Sequence, residues 1–173
     1  QMNRMAYTAL TDRNYLQGCA HPSGCDNPIT QLPVVFDFEN GLDGWINKSY
    51  EGYGNFVNFI QNNGPTAPTS TGPEQAQTGT GFVHFDAANS NVQYGSAAVL
   101  ISPCMDLRGL ASPKLTLHYH AFGPEIGEIG AQVSLDGGHT FQGPAPDNAL
   151  FYVAGDQGDQ WHRITCDLSP YKT

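Results

Sequence analysis

Residues 114–122 read KLTLHYHAF, and this stretch decides the fold class. Leu115, Leu117 and Tyr119 fall on one face of an extended chain, while polar side chains alternate with them on the other face. A period of two is typical of a β-strand that has one buried and one polar face. The segment therefore predicts one strand of a sheet with a packed inner side.

Seven further short segments of similar character follow along the chain, each close to turn-forming residues. They are Pro33–Glu39, Asn55–Gln61, Gly81–Ala87, Ala97–Ser102, Gly130–Asp136, Leu150–Ala154 and Gln160–Asp167. In the first of these, Val35 and Asp37 are expected to face one way, and Phe36 and Phe38 the other. Seven or eight short strands without a convincing helix predict an all-β fold, an antiparallel β-sandwich.

The composition agrees with this fold class and excludes several partners. The 173 residues are 39% hydrophobic and 13% charged, and they include 20 glycines and 12 prolines. The length predicts one domain with a sizeable core, and so few charges among so many turn formers argue against helix bundles. Sixteen acidic against seven basic residues give a net charge of −9, which argues against nucleic acid or an anionic membrane as the main partner. No apolar run is long enough to form a transmembrane segment.

The four cysteines fall into two pairs along the chain, Cys19 with Cys25 and Cys104 with Cys166. No Cys-x-x-Cys motif and no histidine at zinc-finger spacing accompanies them, so a metal cluster is not expected. We predict two disulfides and an extracellular, oxidising location, with buried free thiols as the alternative. Residues 1–31 are predicted to be a lead-in or linker that contains the small Cys19–Cys25 loop, and residues 32–173 the sandwich domain.

A series of short motifs, in this order, resembles the MAM domain, the adhesive module of meprins and receptor phosphatases. The motifs are FDFENGLDGW at 36–45, GPT at 64–66, TGTGF at 78–82, FDA at 85–87, AVLISP at 98–103, LTLHYHAFG at 115–123 and IGEIG at 126–130. The Thr66–Pro73 stretch is most similar to MAM-type modules of secreted, Bacteroidota-like bacterial surface proteins. The resemblance covers about residues 34–170 and implies a jelly-roll sandwich used in adhesion or assembly.

The resemblance also implies a jelly roll that lacks its last strands within this chain. The family usually continues with a further strand pair after the segment that matches Trp161–Asp167. The sandwich is then open, or its last strands belong to a missing segment or to a neighbouring chain. Completion by a neighbouring chain is physically reasonable, because an open strand edge exposes a row of unpaired backbone groups.

Carboxylates near the first predicted strand form a candidate metal site. Asp37 and Glu39 share a strand face just before a turn, and hard oxygen ligands at such a junction suit calcium. Families that resemble this chain often carry a structural calcium or sodium held by the Glu of the Phe-Glu motif. The resemblance thus implies one structural cation and no organic cofactor, with Asp86 and Asp167 as further ligands. The alternative is that the four side chains are solvated carboxylates that discourage edge pairing.

A second candidate metal site involves His118 and His120. Residues i and i+2 of a strand point to one face, so both imidazoles reach one metal, with Glu125 and His84 as added ligands, as in the cupin jelly rolls. The flanking glycines have the wrong spacing for a cupin. This favours strand histidines that face solvent or are hydrogen-bonded.

Residues 134–141, SLDGGHTF, match an Asp-box. We interpret the motif as a turn device in which Gly137 and Gly138 supply turn geometry, Asp136 accepts backbone hydrogen bonds and Phe141 packs beneath. The sequence contains no Gly-x-Ser-x-Gly motif and no other context that indicates a catalytic nucleophile.

The sequence therefore predicts a non-catalytic module of a secreted or cell-surface protein, which binds a protein or glycan partner. One alternative is a carbohydrate-binding jelly roll of a secreted glycan-degrading enzyme, with aromatic side chains near Gly52–Gly54, Phe56 and Phe59 as its platform. Another is a cupin-like His-metal enzyme. The predicted core consists of Phe36, Phe38, Trp45, Val83, Phe85, Val99, Ile101, Leu115, Leu117, Tyr119, Val133, Leu135 and Ile164.

Overall fold

The computed structural model describes residues 25, 27–48, 57–66, 71–86, 92, 96–144 and 148–172. This part of the chain forms eight short strands and ends in a 3₁₀ helix at Ser169–Tyr171. The strands are β1 Ile46–Lys48, β2 Ile60–Asn62, β3 Phe82–His84, β4 Val99–Ile101, β5 Lys114–His120, β6 Glu128–Ala131, β7 Phe151–Ala154 and β8 Trp161–Asp167. In the ranges given, no helix has the length and apolar character that crossing a membrane requires.

The eight strands form two sets of strand pairs that are nested in sequence. In the first half of the chain, β2 pairs with β3, and the flanking strands β1 and β4 pair with each other. In the second half, β6 pairs with β7, and the flanking strands β5 and β8 pair with each other. All four ladders are antiparallel. The prediction of an all-β, antiparallel architecture is therefore confirmed.

Strand β5 forms the longest ladder, seven residue pairs with β8. Leu115, Leu117 and Tyr119 are the half-buried members of β5, as their alternation predicts. The Tyr119 ring lies 4.9 Å from that of Phe151 on β7, which is one of the most deeply buried side chains in the described residues. The inner face of the β5–β8 ladder thus packs on the β6–β7 pair.

Trp161 on β8 connects the strands of the first half of the chain with those of the second half. Its ring lies 6.2 Å from that of Phe82 on β3 and 5.5 Å from that of His120 on β5, in edge-to-face arrangements. Its indole Nε1 donates a hydrogen bond of 3.0 Å to the carbonyl oxygen of Gln75. Aromatic pairs of this kind contribute about 0.5–1.5 kcal/mol beyond the area they bury. Trp161 therefore links the first half of the sandwich to the second.

The predicted cysteine pairing is wrong where the structure describes it. Cys25 forms a disulfide with Cys104, and the amide of Ile29 donates to the Cys104 carbonyl at 2.8 Å. Cys166 is a buried free thiol, because its position on β8 directs Sγ inward toward the Leu150 carbonyl, 3.5 Å away. The predicted Cys19–Cys25 loop does not form through Cys25, and Cys19 itself lies outside the described residues.

Residues 33–39 do not form the predicted strand. Phe38 has a φ of 57°, and this left-handed backbone conformation interrupts an extended chain. The predicted facing is nevertheless correct. The rings of Phe36 and Phe38 lie 5.5 and 6.0 Å from that of Trp45, while Val35 is 83% exposed.

The remaining predicted strands are present in shortened or shifted form, and one strand was not predicted. Strand β6 begins two residues before the predicted Gly130–Asp136, and it ends at Ala131 because the Asp-box turn at residues 134–141 follows it. Leu135 lies in that turn and is 49% exposed, so its assignment to the core is wrong. The unpredicted β1 is held beside β2 by Asn47, whose side chain accepts from the Phe59 amide at 2.8 Å and donates to its carbonyl at 3.0 Å.

Candidate binding surface and predicted metal ligands

The Glu39 side chain forms hydrogen bonds with the glycine-rich loop that precedes β3. Its Oε1 accepts hydrogen bonds from the amides of Thr80 at 2.7 Å and Gly81 at 2.9 Å, and its Oε2 accepts one from the Thr80 hydroxyl at 2.6 Å. The Thr80 hydroxyl, and then the two amides, lower the pKa of Glu39. A Cβ at Gly81 would overlap the Phe38 carbonyl, so the glycine permits this close approach.

The other three predicted cation ligands lie apart from this contact or serve their own turns. Asp37 accepts a hydrogen bond of 3.1 Å from the Glu39 amide. Asp86 follows β3, whereas Glu39 contacts the residues before that strand. Asp167 ends β8 and accepts hydrogen bonds from the Ser169 amide at 2.9 Å and hydroxyl at 2.6 Å. In the part of the chain that is described, no three His, Cys, Asp or Glu side chains are grouped to hold a metal ion. The structural cation stays a prediction.

The two histidines of β5 share a strand face but have different surroundings. His118 is exposed and lies opposite Arg163 on β8. The His120 side chain is only 4% exposed, and its Nε2 lies 3.2 Å from Oδ1 of Asp159. Burial lowers the pKa of His120, and the Asp159 carboxylate partly offsets this effect. His120 is thus a hydrogen-bonded strand histidine.

The two further ligands considered for a histidine-metal site are placed on other elements. His84 lies on β3, and its ring is 5.9 Å from that of Phe82. Glu125 is exposed in the turn that follows β5. These positions do not assemble the four side chains into one ligand set within the described residues.

The Asp-box is a tightly bonded turn, as its sequence predicts. Oδ1 of Asp136 accepts hydrogen bonds from the amides of His139 at 3.1 Å and Thr140 at 2.8 Å, and Oδ2 accepts one from the Thr140 hydroxyl at 2.6 Å. Gly137 and Gly138 have φ values of 70° and 89°. Burial pushes the pKa of Asp136 upward, but hydrogen bonds led by that of the Thr140 hydroxyl lower it to about 2.

This turn is fixed to the sandwich by Lys48 of β1. The Lys48 Nζ donates a hydrogen bond of 2.6 Å to the Gly138 carbonyl and lies 5.9 Å from the centre of the Phe141 ring. The contact anchors the Asp-box as a structural element.

The predicted aromatic platform lies mostly outside the described residues, since residues 49–56 belong to the part that is not described. Phe59 is described and half-buried, and its ring lies 6.2 Å from that of Phe85. Phe59 therefore packs within the sandwich.

The outer face of the β5–β8 ladder is a polar surface that no sequence motif revealed. The hydroxyl oxygens of Thr116 and Thr165 lie 3.1 Å apart across the two strands. The alternation that predicts β5 also predicts that its polar members face outward, but the pairing with β8 becomes visible only in the fold. The exposed side chains of the two strands are Lys114, Thr116, His118, Arg163, Thr165 and Asp167.

Comparison with known proteins identifies the family to which this architecture belongs. The profile described as "MAM domain, meprin/A5/mu" matches residues 36–173. Neuropilin-1 of Xenopus laevis is 32% identical over 93 residues, which are 54% of this chain and only 9% of that protein's length. No solved structure matches the chain. The relative is a frog protein, so it gives no support to the predicted likeness to bacterial modules.

Proposed function

Because this chain belongs to the MAM domain family, we propose that it is a non-catalytic adhesion or binding module of a secreted or cell-surface protein. Its antiparallel strands are consistent with the jelly-roll sandwich of the family. The observation that carries the proposal is the disulfide that joins Cys25 to Cys104, the latter within the matched region, because disulfides persist in extracellular compartments and are rare in the cytosol.

The titratable side chains support a binding role over catalysis. His118 faces solvent, His120 is covered and bonded to Asp159, and the carboxylates of Glu39 and Asp136 accept hydrogen bonds within their own loops. The hydrogen bonds of Glu39, Asp136 and His120 Nε2 are made within the protein and involve no substrate.

The proposed partner is a protein or a glycan at the cell surface, contacted through the outside of the sandwich. Three further expectations remain predictions alongside it: the division into residues 1–31 and 32–173, completion of the sandwich by a neighbouring chain, and likeness to bacterial surface modules.

The proposal is tested by displaying the biotinylated chain as a tetramer on labelled streptavidin and measuring its attachment to a panel of cell types by flow cytometry. We expect saturable attachment that excess untagged chain displaces. The matched control is the same chain reduced, alkylated and unfolded. Absence of saturable attachment to every cell type, or hydrolytic turnover by the purified chain, would contradict the proposal.

A further inference from the structure

Three of the five Lys and Arg side chains in the described residues lie on or beside one face of the β5–β8 ladder. Lys114, His118 and Arg163 are exposed on the outer face of the β5–β8 ladder, and the exposed Lys172 follows the 3₁₀ helix beyond its end. We call these four side chains the basic face. Asp167 is the carboxylate among them, and both lysines act on its charge. The basic face therefore carries three permanent positive charges against one negative charge.

The nearest group of carboxylates on this ladder lies at its other end. Glu125, Glu128, Asp156 and Asp159 flank the end at which His120 pairs with Trp161. Seven strand residues at about 3.3 Å each separate the two ends by roughly 20 Å, whereas charges are screened over about 8 Å at physiological ionic strength. Lys114 lies at the far end and is screened from these carboxylates, whereas Arg163 lies two residues, roughly 7 Å, from their end of the ladder. The positive potential is therefore strongest at the Lys114 end, although the chain carries a net charge of −9.

The shape of the surface selects the kind of partner. Two strands about 4.8 Å apart and roughly 20 Å long offer on the order of 200 Å², well below the ~800 Å² per partner of a standard protein interface. None of the six exposed side chains of the two strands is Trp, Tyr or Phe, the anchors that often dominate protein interfaces. A long, narrow, cationic strip fits a linear anionic chain.

We propose that the basic face binds a linear anionic polysaccharide that lies along β5 and β8. Arg163 presents a planar guanidinium that suits bidentate contact with a sulfate or carboxylate group. Lys114 lies four residues away in register, so the two cations contact successive anionic groups of an extended chain. The Thr116 and Thr165 hydroxyls between them supply neutral hydrogen-bonding groups to the same strip. The inference deepens the proposed binding function, on which it rests, by naming the glycan class and the surface.

The direct test is isothermal titration calorimetry with a heparin octasaccharide, a hyaluronan octasaccharide of equal length and an oligoglutamate peptide. We expect the wild-type chain to bind at least one glycan, more weakly at higher salt, and the Lys114→Ala/Arg163→Ala variant to bind it about tenfold more weakly. Preference between the two glycans separates sulfate from carboxylate recognition.

The matched control is Arg108→Ala, which removes another exposed cation. Arg108 is 71% exposed, lies outside the basic face and pairs with Asp106 at 2.8 Å. We expect less than a twofold change in its affinity for the glycan. Equal affinity of wild type and Lys114→Ala/Arg163→Ala, absence of glycan binding, or tighter binding of oligoglutamate would overturn the proposal. Equal melting temperatures confirm that the variants are folded.

A second measurement separates this inference from the proposed function. Cells are treated with glycosaminoglycan lyases before the tetramer is added. Attachment that survives the treatment would overturn the polysaccharide assignment and leave the binding module intact. Octasaccharide binding without attachment to any untreated cell would instead contradict the proposed adhesion function and leave the basic face as a glycan site.

Discussion

Loss of the Cys25–Cys104 disulfide is expected to remove a large part of the stability of the domain. The bridge joins residues 79 positions apart, and the loop-closure entropy for this length corresponds to about 4.5 kcal/mol at 25 °C. In a domain of this size, each kcal/mol shifts Tm by about 2–4 °C. We therefore expect the Cys25→Ser/Cys104→Ser variant to melt roughly 9–18 °C below the wild-type protein.

Scanning calorimetry with and without dithiothreitol measures this effect. The reductant is expected to bring the wild-type Tm close to that of the double variant. Cys166→Ala is the matched control, because Cys166 is a buried free thiol. Its loss removes packing and the weak hydrogen bond from Sγ to the Leu150 carbonyl but no disulfide, so the reductant should lower the Tm of this variant by the same amount as in wild type.

Two results would refute the reasoning. If Cys166→Ala becomes insensitive to the reductant, Cys104 pairs with Cys166 and the pairing in the structure is incorrect. If the double variant melts within about 2 °C of wild type, the loop-closure argument fails for this domain.

Three further predictions concern single side chains. Gly81→Ala is expected to lower the free energy of unfolding by about 2 kcal/mol or more, because the added Cβ would overlap the Phe38 carbonyl. The control Gly127→Ala has open space around the added Cβ and should change the urea midpoint little. The pKa of Asp136 is lowered to about 2, so this carboxylate stabilises the fold above pH 4 and loses its contribution as the pH falls toward 2. The Asp136→Asn variant should therefore show a smaller loss of Tm between pH 5 and pH 2 than wild type, and an equal loss would refute the assignment. Burial raises the pKa of the Cys166 thiol, so iodoacetamide should modify it only at denaturing urea concentrations, as peptide mass mapping would show.

Alternation of apolar and polar side chains predicts a strand correctly where one face of that strand is packed and the other is exposed. The predicted strand Lys114–Phe122 corresponds to β5 at Lys114–His120, because one face of this strand packs and the other meets water. Residues 33–39 alternate equally well, and Phe36 and Phe38 do face Trp45, yet the positive φ of Phe38 prevents a strand. Alternation therefore predicts which side is buried more reliably than it predicts backbone pairing.

Contacts between distant segments could not be predicted from the sequence. Glu39 contacts Thr80, 41 positions along the chain, and Cys104 pairs with Cys25 rather than with the predicted Cys166. The basic face likewise depends on the register that sets His118 opposite Arg163. By contrast, the Asp-box turn is predictable because the hydrogen bonds of Asp136 that form it reach only to His139 and Thr140.

The nested pairing of the strands suggests an order in which the chain folds. In the second half, β6 and β7 pair across 19 intervening residues, and β5 and β8, which flank them in sequence, also pair. Once the inner pair has formed, the segment that remains to be closed between His120 and Trp161 shortens from roughly 40 to roughly 15 residues, which lowers the entropic cost by about 1 kcal/mol. We therefore expect each half to pair from its inner strands outward, with the bridge between residues 25 and 104 closing around the first half last.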